Sequence, residues 1–240
     1  MAPGMTPTDT PVALITGAGK GIGRATALEL AGRGYRLALV SRTEADLNET
    51  AALAKVRSQV IPADVADAPR LEQAVDEVVM TFGRLDAVVH AAGVAPLQPI
   101  DQTSVETFRN VIDVNLTAAF VLARASWPQL KRTRGVIVNV SSMSARDPLG
   151  GFSAYAAAKA GVNLLTLDLA REGAAHGIRA HCVAPGAVET GMFRLLADEA
   201  AVPRGTILEP AEVARVIAEC VCGSLTITSG ETIYLKRGPE

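Results

Sequence analysis

The 240-residue sequence predicts an α/β fold: a doubly wound parallel sheet of about seven strands with helices on both faces. Three observations predict it. Short aliphatic runs alternate with longer amphipathic stretches from end to end, the order that a parallel sheet with crossover helices requires. Within the runs, successive positions are apolar, as in strands covered on both faces. The first run also leads straight into a glycine-rich turn followed by helical spacing.

Residues 12–16 read as the first strand and 21–33 as the first helix, which Gly32 and Gly34 end. Residues 36–41 form the second strand and 44–55 the second helix. A third strand at 56–61 is closed by Pro62, and a third helix covers 69–82. The fourth strand is 86–90. Helical spacing then runs from about 105 to 130, where Pro128 is expected to end or kink the helix near Trp127, because its ring removes a donor and crowds the preceding turn. Strand five is 135–141, the next helix 153 to about 175, and strand six 178–184. A helix from 210 to about 220 and a strand at 231–235 complete the order. No repeat or linker divides the chain, so residues 12–240 are expected to form one domain and 1–11 a flexible tail. The tail carries no Lys or Arg and no apolar run, so it does not read as a signal peptide.

Composition excludes several functions. With 49% hydrophobic and 20% charged residues, the chain builds a large core and is not disordered. A net charge of −2 gives no basic surface for nucleic acid. No uncharged apolar run reaches the ~18 residues that span a bilayer, so neither a nucleic-acid nor a membrane partner is expected. Cys182, Cys220 and Cys222 are too few for a disulfide framework and point to a reducing, cytoplasmic setting. Cys220 and Cys222 lack the two further ligands a zinc site needs, so no metal is expected.

The first turn reads Thr16-Gly-Ala-Gly-Lys-Gly-Ile-Gly23. Gly17, Gly19, Gly21 and Gly23 allow a tight turn and close approach of a pyrophosphate, which the N–H groups at the helix start then bind. The spacing is Gly-x-x-x-Gly-x-Gly and lacks the Lys-Ser/Thr of a P-loop. At the end of strand two, where a carboxylate would hold a ribose 2′-hydroxyl, stand Ser41 and Arg42, with no carboxylate before Glu44. Lys20 can add a second cation. Two cations and a hydroxyl suit a 2′-phosphate, so the cofactor expected is NADP(H).

Tyr155-Ala-Ala-Ala-Lys159 places a phenol and an ammonium on one helix face. A cation ~5 Å from the phenol is expected to lower its pKa by ~2 units, toward neutrality. Ser141 and Ser142 end strand five, at the carboxyl edge of the sheet where ligands bind.

Taken together these segments resemble the short-chain dehydrogenase/reductase family, in its compact Rossmann-type form, across nearly the whole length. The resemblance rests on Thr16 to Gly23, Asp64-Val65, Ala92-Gly93, Asn115 in Asp113-Val-Asn-Leu116, Ser142, Tyr155-x-x-x-Lys159 and Pro185-Gly-Ala-Val-Glu-Thr190. It implies that Tyr155 is the general acid/base, that Ser142 hydrogen-bonds the substrate oxygen and that Lys159 binds the nicotinamide ribose. Asn115 would hold a relay water. Cofactor contacts would come from Gly17, Gly19, Lys20, Gly21, Ile22, Gly23, Ser41, Arg42, Ala92, Gly93, Pro185 and Gly186. Asp64 and Val65 would meet adenine, and Val188 and Thr190 the carboxamide. The implied reaction is hydride transfer between NADP(H) and a carbonyl or secondary alcohol, with 3-oxoacyl, diketone, pterin and general carbonyl substrates all open. The resemblance also implies a homodimer or homotetramer formed through the two long helices before strands five and six.

The chain departs from the family pattern in places. His90-Ala-Ala-Gly93 stands where Asn-Asn-Ala-Gly is usual, and His90 reads as a strand-end packing residue and not a catalyst. His181 stands where Asn is frequent and reads as structural. Residues 189–208 are expected to form a lid, with Met192, Phe193, Leu195 and Leu196 as an apolar wall or, equally, as core. Lys236-Arg-Gly238 replaces the usual Asp-Gly-Gly ending. Two other readings compete: an NADP(H)-binding sensor without catalysis, which would have no use for Tyr155, Lys159, Ser142 and Asn115 together, and a sugar-nucleotide epimerase, which would need a larger C-terminal domain.

Overall fold

The computed structural model describes residues 10–223, 225 and 229–237. Its elements follow the alternation read from the sequence: β1 (Val12–Thr16), α1 (Gly21–Gly32), β2 (Arg36–Ser41), α2 (Glu44–Ala54), β3 (Ser58–Pro62), α3 (Ala68–Phe82) and β4 (Ala87–His90). Then come α4 (Val105–Ile112), a π-helical turn (Asp113–Thr117), α5 (Ala118–Thr133), β5 (Val136–Val140), α6 (Ser153–Ala174), β6 (Arg179–Pro185), the short α7 (Gly191–Arg194), α8 (Pro210–Cys222) and β7 (Thr232–Leu235).

The seven strands form one sheet in the order β3-β2-β1-β4-β5-β6-β7, and every pairing is parallel. Alternate residues of each central strand serve opposite layers. Val12, Leu14, Ala38 and Val40 pack with Leu71 and Val78 of α3 and with Val121 and Leu122 of α5. Ala13, Ile15, Leu37 and Leu39 pack with Leu30 of α1, Leu47 of α2 and Ile217 of α8. Two-sided burial is why these strands read as unbroken apolar runs. Both cores are aliphatic, as a chain with 4% aromatic residues requires. Residues 1–9, within the expected tail, and Gly238 lie outside the described residues. No helix among the described residues is long and apolar enough to cross a membrane.

Two expectations need correction. Pro128 does not stop its helix, which runs on to Thr133 and ends at Arg134 in a left-handed conformation (φ 52°). Pro128 and Arg124 both face solvent, so water can serve the carbonyl that the proline leaves without a donor. The single long helix from 105 is instead interrupted at the π-helical turn. There Asn115 supplies a side-chain donor to the carbonyl of Val111, four residues back, at 2.9 Å. Its second donated bond, to the carbonyl of Val94 at 2.9 Å, ties the turn to the segment after β4.

Candidate active site

Strand order reverses between β1 and β4, and on such sheets ligands bind beyond the carboxyl ends of the strands at that point. Thr16 and His90 end these two strands and pair across them. The Thr16 hydroxyl oxygen lies 2.9 Å from His90 Nδ1 and accepts from the Ala92 N–H at 3.3 Å. Burial, and then the nearby charge of Lys159, push the His90 imidazole down to about 3. It is therefore neutral at pH 7, with Nδ1 placed to accept from Thr16 and the ring against the backbone of Val114 and Asn115. His90 is a clamp between the strand ends, as its sequence position suggested.

The glycine turn closes on this clamp. Gly17 has φ +66°, and a Cβ there would stand 2.8 Å from the Ala92 nitrogen. A Cβ on Gly23 would stand 2.2 Å from the Gly17 carbonyl oxygen, so the turn and the first residues of α1 can only fold together with glycine at both places. Lys20 occupies the N-cap position of α1 without a side-chain cap, and no acidic residue stands in the first turn. The helix thus presents free N–H groups and its positive dipole end to the space above.

That space is a cleft of about 460 Å³. Of the residues expected to bind cofactor, it is lined by Gly17, Gly19, Lys20, Gly21, Ile22, Gly23, Ser41, Arg42, Asp64, Val65, Ala92, Gly93 and Thr190. Pro185, Gly186 and Val188 do not line it: the Gly186 N–H donates to Leu235 across to β7, and Val188 bridges to Leu208. Ser41 and Arg42 bring the end of β2 into this cleft. Ser41 Oγ is buried there without a partner, and Arg42 is exposed and pairs with no carboxylate among the described residues. Among the lining residues that escaped the sequence reading, which include Thr43, Ala63, Val94 and Val114, Asp46 in the first turn of α2 holds the Lys20 ammonium at 3.1 Å.

A second group lies beyond Gly93. Lys159 is 3% exposed, with Nζ donating to the Val140 carbonyl at 2.8 Å and lying 5.5 Å from the Tyr155 ring centroid. A Cβ on Gly93 would reach to 2.8 Å of Asn115 Oδ1 and 3.7 Å of Lys159 Nζ, so this cleft residue joins the two groups. Asn115 is fully buried, and its Oδ1 has no partner. Ser142 turns its hydroxyl to the N–H of Ser144 at 3.1 Å. Ser141 donates to the Lys159 carbonyl at 3.1 Å and so fixes α6 to the end of β5. Tyr155 packs against Phe152, ring centroids 5.6 Å apart, with part of its surface open.

The electrostatics differ from expectation. Burial pushes the Tyr155 phenol up, opposed by the Ser142 hydroxyl. Lys159 does not acidify it: the ammonium is directed at the Val140 carbonyl, and burial pulls its own pKa down to about 8.

The segment after β6 is held by Arg194. Its guanidinium makes a bidentate pair with Glu189, Nε to Oε1 at 2.9 Å, and donates to the Val202 carbonyl at 2.8 Å. Of the four apolar residues there, none is buried; Met192 lines the cleft and Leu195 is 89% exposed. The alternative that they form core is thereby excluded. The three cysteines are free thiols, and no cluster of metal-ligating side chains occurs among the described residues.

Known proteins share this frame. The pattern of the short chain dehydrogenase family matches residues 11–201. The chain is 35% identical over 241 residues to the 3-oxoacyl-(acyl-carrier-protein) reductase of Staphylococcus aureus (strain Mu50 / ATCC 700699), covering 95% of this chain and 98% of the relative. It is 31% identical over 234 residues to the Escherichia coli (strain K12) protein of the same name, covering 95% and 96%. L-fucose dehydrogenase of Mus musculus is 32% identical over 243 residues, covering 95% and 88%. The sheet order, the glycine turn and the match over more than half of the sequence make this chain a member of the short chain dehydrogenase family, an oxidoreductase acting between C=O and CH–OH groups.

Proposed function

We propose that this oxidoreductase uses NADP(H), with Tyr155 as general acid/base assisted by Ser142, Lys159 and Asn115. The observation that carries the reading is the position of Gly93, which lines the dinucleotide cleft and lies against both Asn115 Oδ1 and Lys159 Nζ. The fit to a dinucleotide comes from the uncapped N-terminus of α1, and the fit to a 2′-phosphate from Lys20, Arg42 and the unpartnered Ser41 Oγ. Asp64 and Val65 would face adenine; Val188 and Thr190 would hold the carboxamide.

When bound, the nicotinamide supplies the hydride that reaches the carbonyl carbon. Ser142 and Tyr155 donate hydrogen bonds to the carbonyl oxygen as negative charge gathers there. Tyr155 then transfers its proton to that oxygen. Lys159 holds a ribose hydroxyl, while the Ser142 hydroxyl opposes the burial that disfavours the phenolate. Asn115 Oδ1 accepts from a water that resupplies the proton, which would satisfy its open position. Ser142 does not act as a nucleophile, since its role as a donor beside Tyr155 accounts for it.

Two of the three relatives named above are reductases of 3-oxoacyl-(acyl-carrier-protein), and we place a 3-oxoacyl group first among the substrates. Exposed Leu97 and Leu149, on the segments leading to α4 and α6, and Met192 at the cleft support an apolar chain. We further infer that residues 12–240 act as one domain with 189–208 as its lid, in the cytoplasm, as a homodimer or homotetramer. The test is NADPH oxidation with a 3-oxoacyl thioester, a diketone, a pterin and a simple ketone. Tyr155→Phe is expected to bind NADPH with unchanged affinity and to lose at least about 100-fold in rate. Undiminished turnover in that variant would remove Tyr155 from the mechanism.

A further inference from the structure

We propose that Asp46 is a specificity-determining residue of the dinucleotide site: its carboxylate claims Lys20 and holds down affinity for a 2′-phosphate. The chain would then prefer NADPH over NADH by a smaller margin than Lys20, Ser41 and Arg42 alone would give. This rests on the NADP(H) reading above and concerns a residue that stands outside the glycine turn and the end of β2.

The geometry is specific. Asp46 is the third residue of α2, and its side chain lies against the glycine turn at Gly19 and Lys20. A Cβ built on Gly19 would be 2.9 Å from Asp46 Cβ and 3.1 Å from Ser41 Oγ, so the carboxylate-bearing residue and the unpartnered hydroxyl converge on one point above the turn. Lys20 reaches the same corner, with Nζ 3.1 Å from Asp46 Oδ2.

The two partners are unequally fixed. The Lys20 side chain is 76% exposed, whereas that of Asp46 is 21% exposed. Asp46 is also held through its backbone: its carbonyl accepts from the Thr50 hydroxyl at 3.0 Å and from Arg24 at 3.4 Å. Arg24 donates as well to the Gly19 carbonyl at 2.8 Å, and Thr50 to that of Ala18 at 3.0 Å, so both side chains tie the first turn of α2 to the glycine turn. Arg24 is itself neutralised by Glu49 at 2.7 Å. Lys20 can swing, whereas the backbone and Cβ of Asp46 stay in place over the glycine turn.

An exposed ion pair contributes little, so a phosphate draws Lys20 away from Asp46 without difficulty. What persists is the carboxylate, a fixed negative charge beside an incoming dianion. A 2′-hydroxyl suffers no such repulsion and can donate to the carboxylate. Asp46 therefore acts against the phosphate and not against the hydroxyl, and the preference for NADP(H) is a difference between opposing groups in one corner.

Calorimetric titration of the substrate-free protein with NADPH, NADH, adenosine 2′,5′-bisphosphate and AMP tests this. Asp46→Asn keeps the shape of the side chain and leaves the backbone bonds to Arg24 and Thr50 in place. It is expected to tighten NADPH and the 2′,5′-bisphosphate by about tenfold, the scale of one screened like charge, with NADH changed less than about twofold or weakened. In a Lys20→Met background the gain from Asp46→Asn should be at least as large, because the carboxylate then meets the phosphate without a counter-ion. Equal changes for NADPH and NADH, or no change for either, would overturn the proposal. The NADP(H) reading itself stands or falls on wild type alone: a wild type that binds NADH more tightly refutes it, whatever the ratio of Asp46→Asn to wild type.

Discussion

His90 shows how a single buried side chain links the fold to pH. The folded chain refuses it a proton until about pH 3, chiefly through burial, whereas the unfolded chain accepts one near 6.5. The folded pKa is depressed, so between those values the unfolded state binds more protons and stability falls as pH drops. His181, buried and facing the Arg179 guanidinium, is pushed to about 4 and acts in the same direction. From pH 7 to pH 5, His90 alone should remove about 2 kcal/mol. His90→Asn keeps a polar partner for Thr16 and has no proton to gain, so its melting temperature should fall less than wild type's over that interval. An identical fall in both proteins would show that His90 does not carry the effect.

Lys159 is the opposite case, because a charge is retained at the cost of stability. Burial lowers its pKa from 10.5 to about 8, which disfavours the folded state by about 3 kcal/mol at pH 7, and that penalty fades as pH rises from about 8 to 10.5. Lys159→Met removes the penalty but leaves the Val140 carbonyl without its donor, which costs about 1–3 kcal/mol. The two nearly cancel. The variant should melt at or slightly above the wild-type temperature at pH 7 while turnover drops at least about 100-fold; a melting temperature several degrees lower would mean that the ammonium is structural. A buried cation that stability does not need is a mark of function.

At the scale of elements, the strands were legible because two-sided burial writes itself as consecutive apolar residues. Val12 to Thr16 and Arg36 to Ser41 match the sequence reading residue for residue. The third strand begins at Ser58, two residues later than expected, and Val56 packs against the core from outside the sheet. The π-helical turn was not legible, since Val111, Val114, Ala118 and Leu122 keep ordinary helical spacing through it. What distinguishes it is where the Asn115 amide sends its two hydrogens, a matter of tertiary placement. Asp46 was missed for a related reason: its part in the cleft depends on α2 folding back over Gly19, which no local spacing records. The glycines were legible because only their backbone freedom and small size meet the distances at Gly17 and Gly23. Asn115→Leu keeps the side-chain size and deprives the Val94 and Val111 carbonyls of donors, at about 2–4 kcal/mol. For a domain of this size that is a loss of about 5–15 °C in melting temperature, measurable by calorimetry. A fall under 2 °C would mean that the backbone alone holds the π-helical turn.

Over the whole molecule, the doubly wound sheet consumes the apolar surface of its own strands but not that of its longest helices. Phe120 on α5 is 50% exposed and Leu164 on α6 is 69% exposed, on the two helices that precede β5 and β6. α4 adds Val105 and Phe108 to the exposed apolar side chains. Large side chains left open on adjoining helices are what an association surface requires, and α6 is also the helix that carries Tyr155 and Lys159. Assembly through α5 and α6 would therefore steady Tyr155 and Lys159, the group proposed to be catalytic, while the cleft at the carboxyl edge of β1 and β4 stays open. Phe120→Glu with Leu164→Glu places two charges on that surface without touching the described cores, and desolvating them on association is costly. Sedimentation velocity should show wild type as a dimer or tetramer and the double variant as a monomer, with the variant's turnover reduced and its NADPH affinity within about threefold of wild type. If both proteins sediment alike, association does not run through these helices.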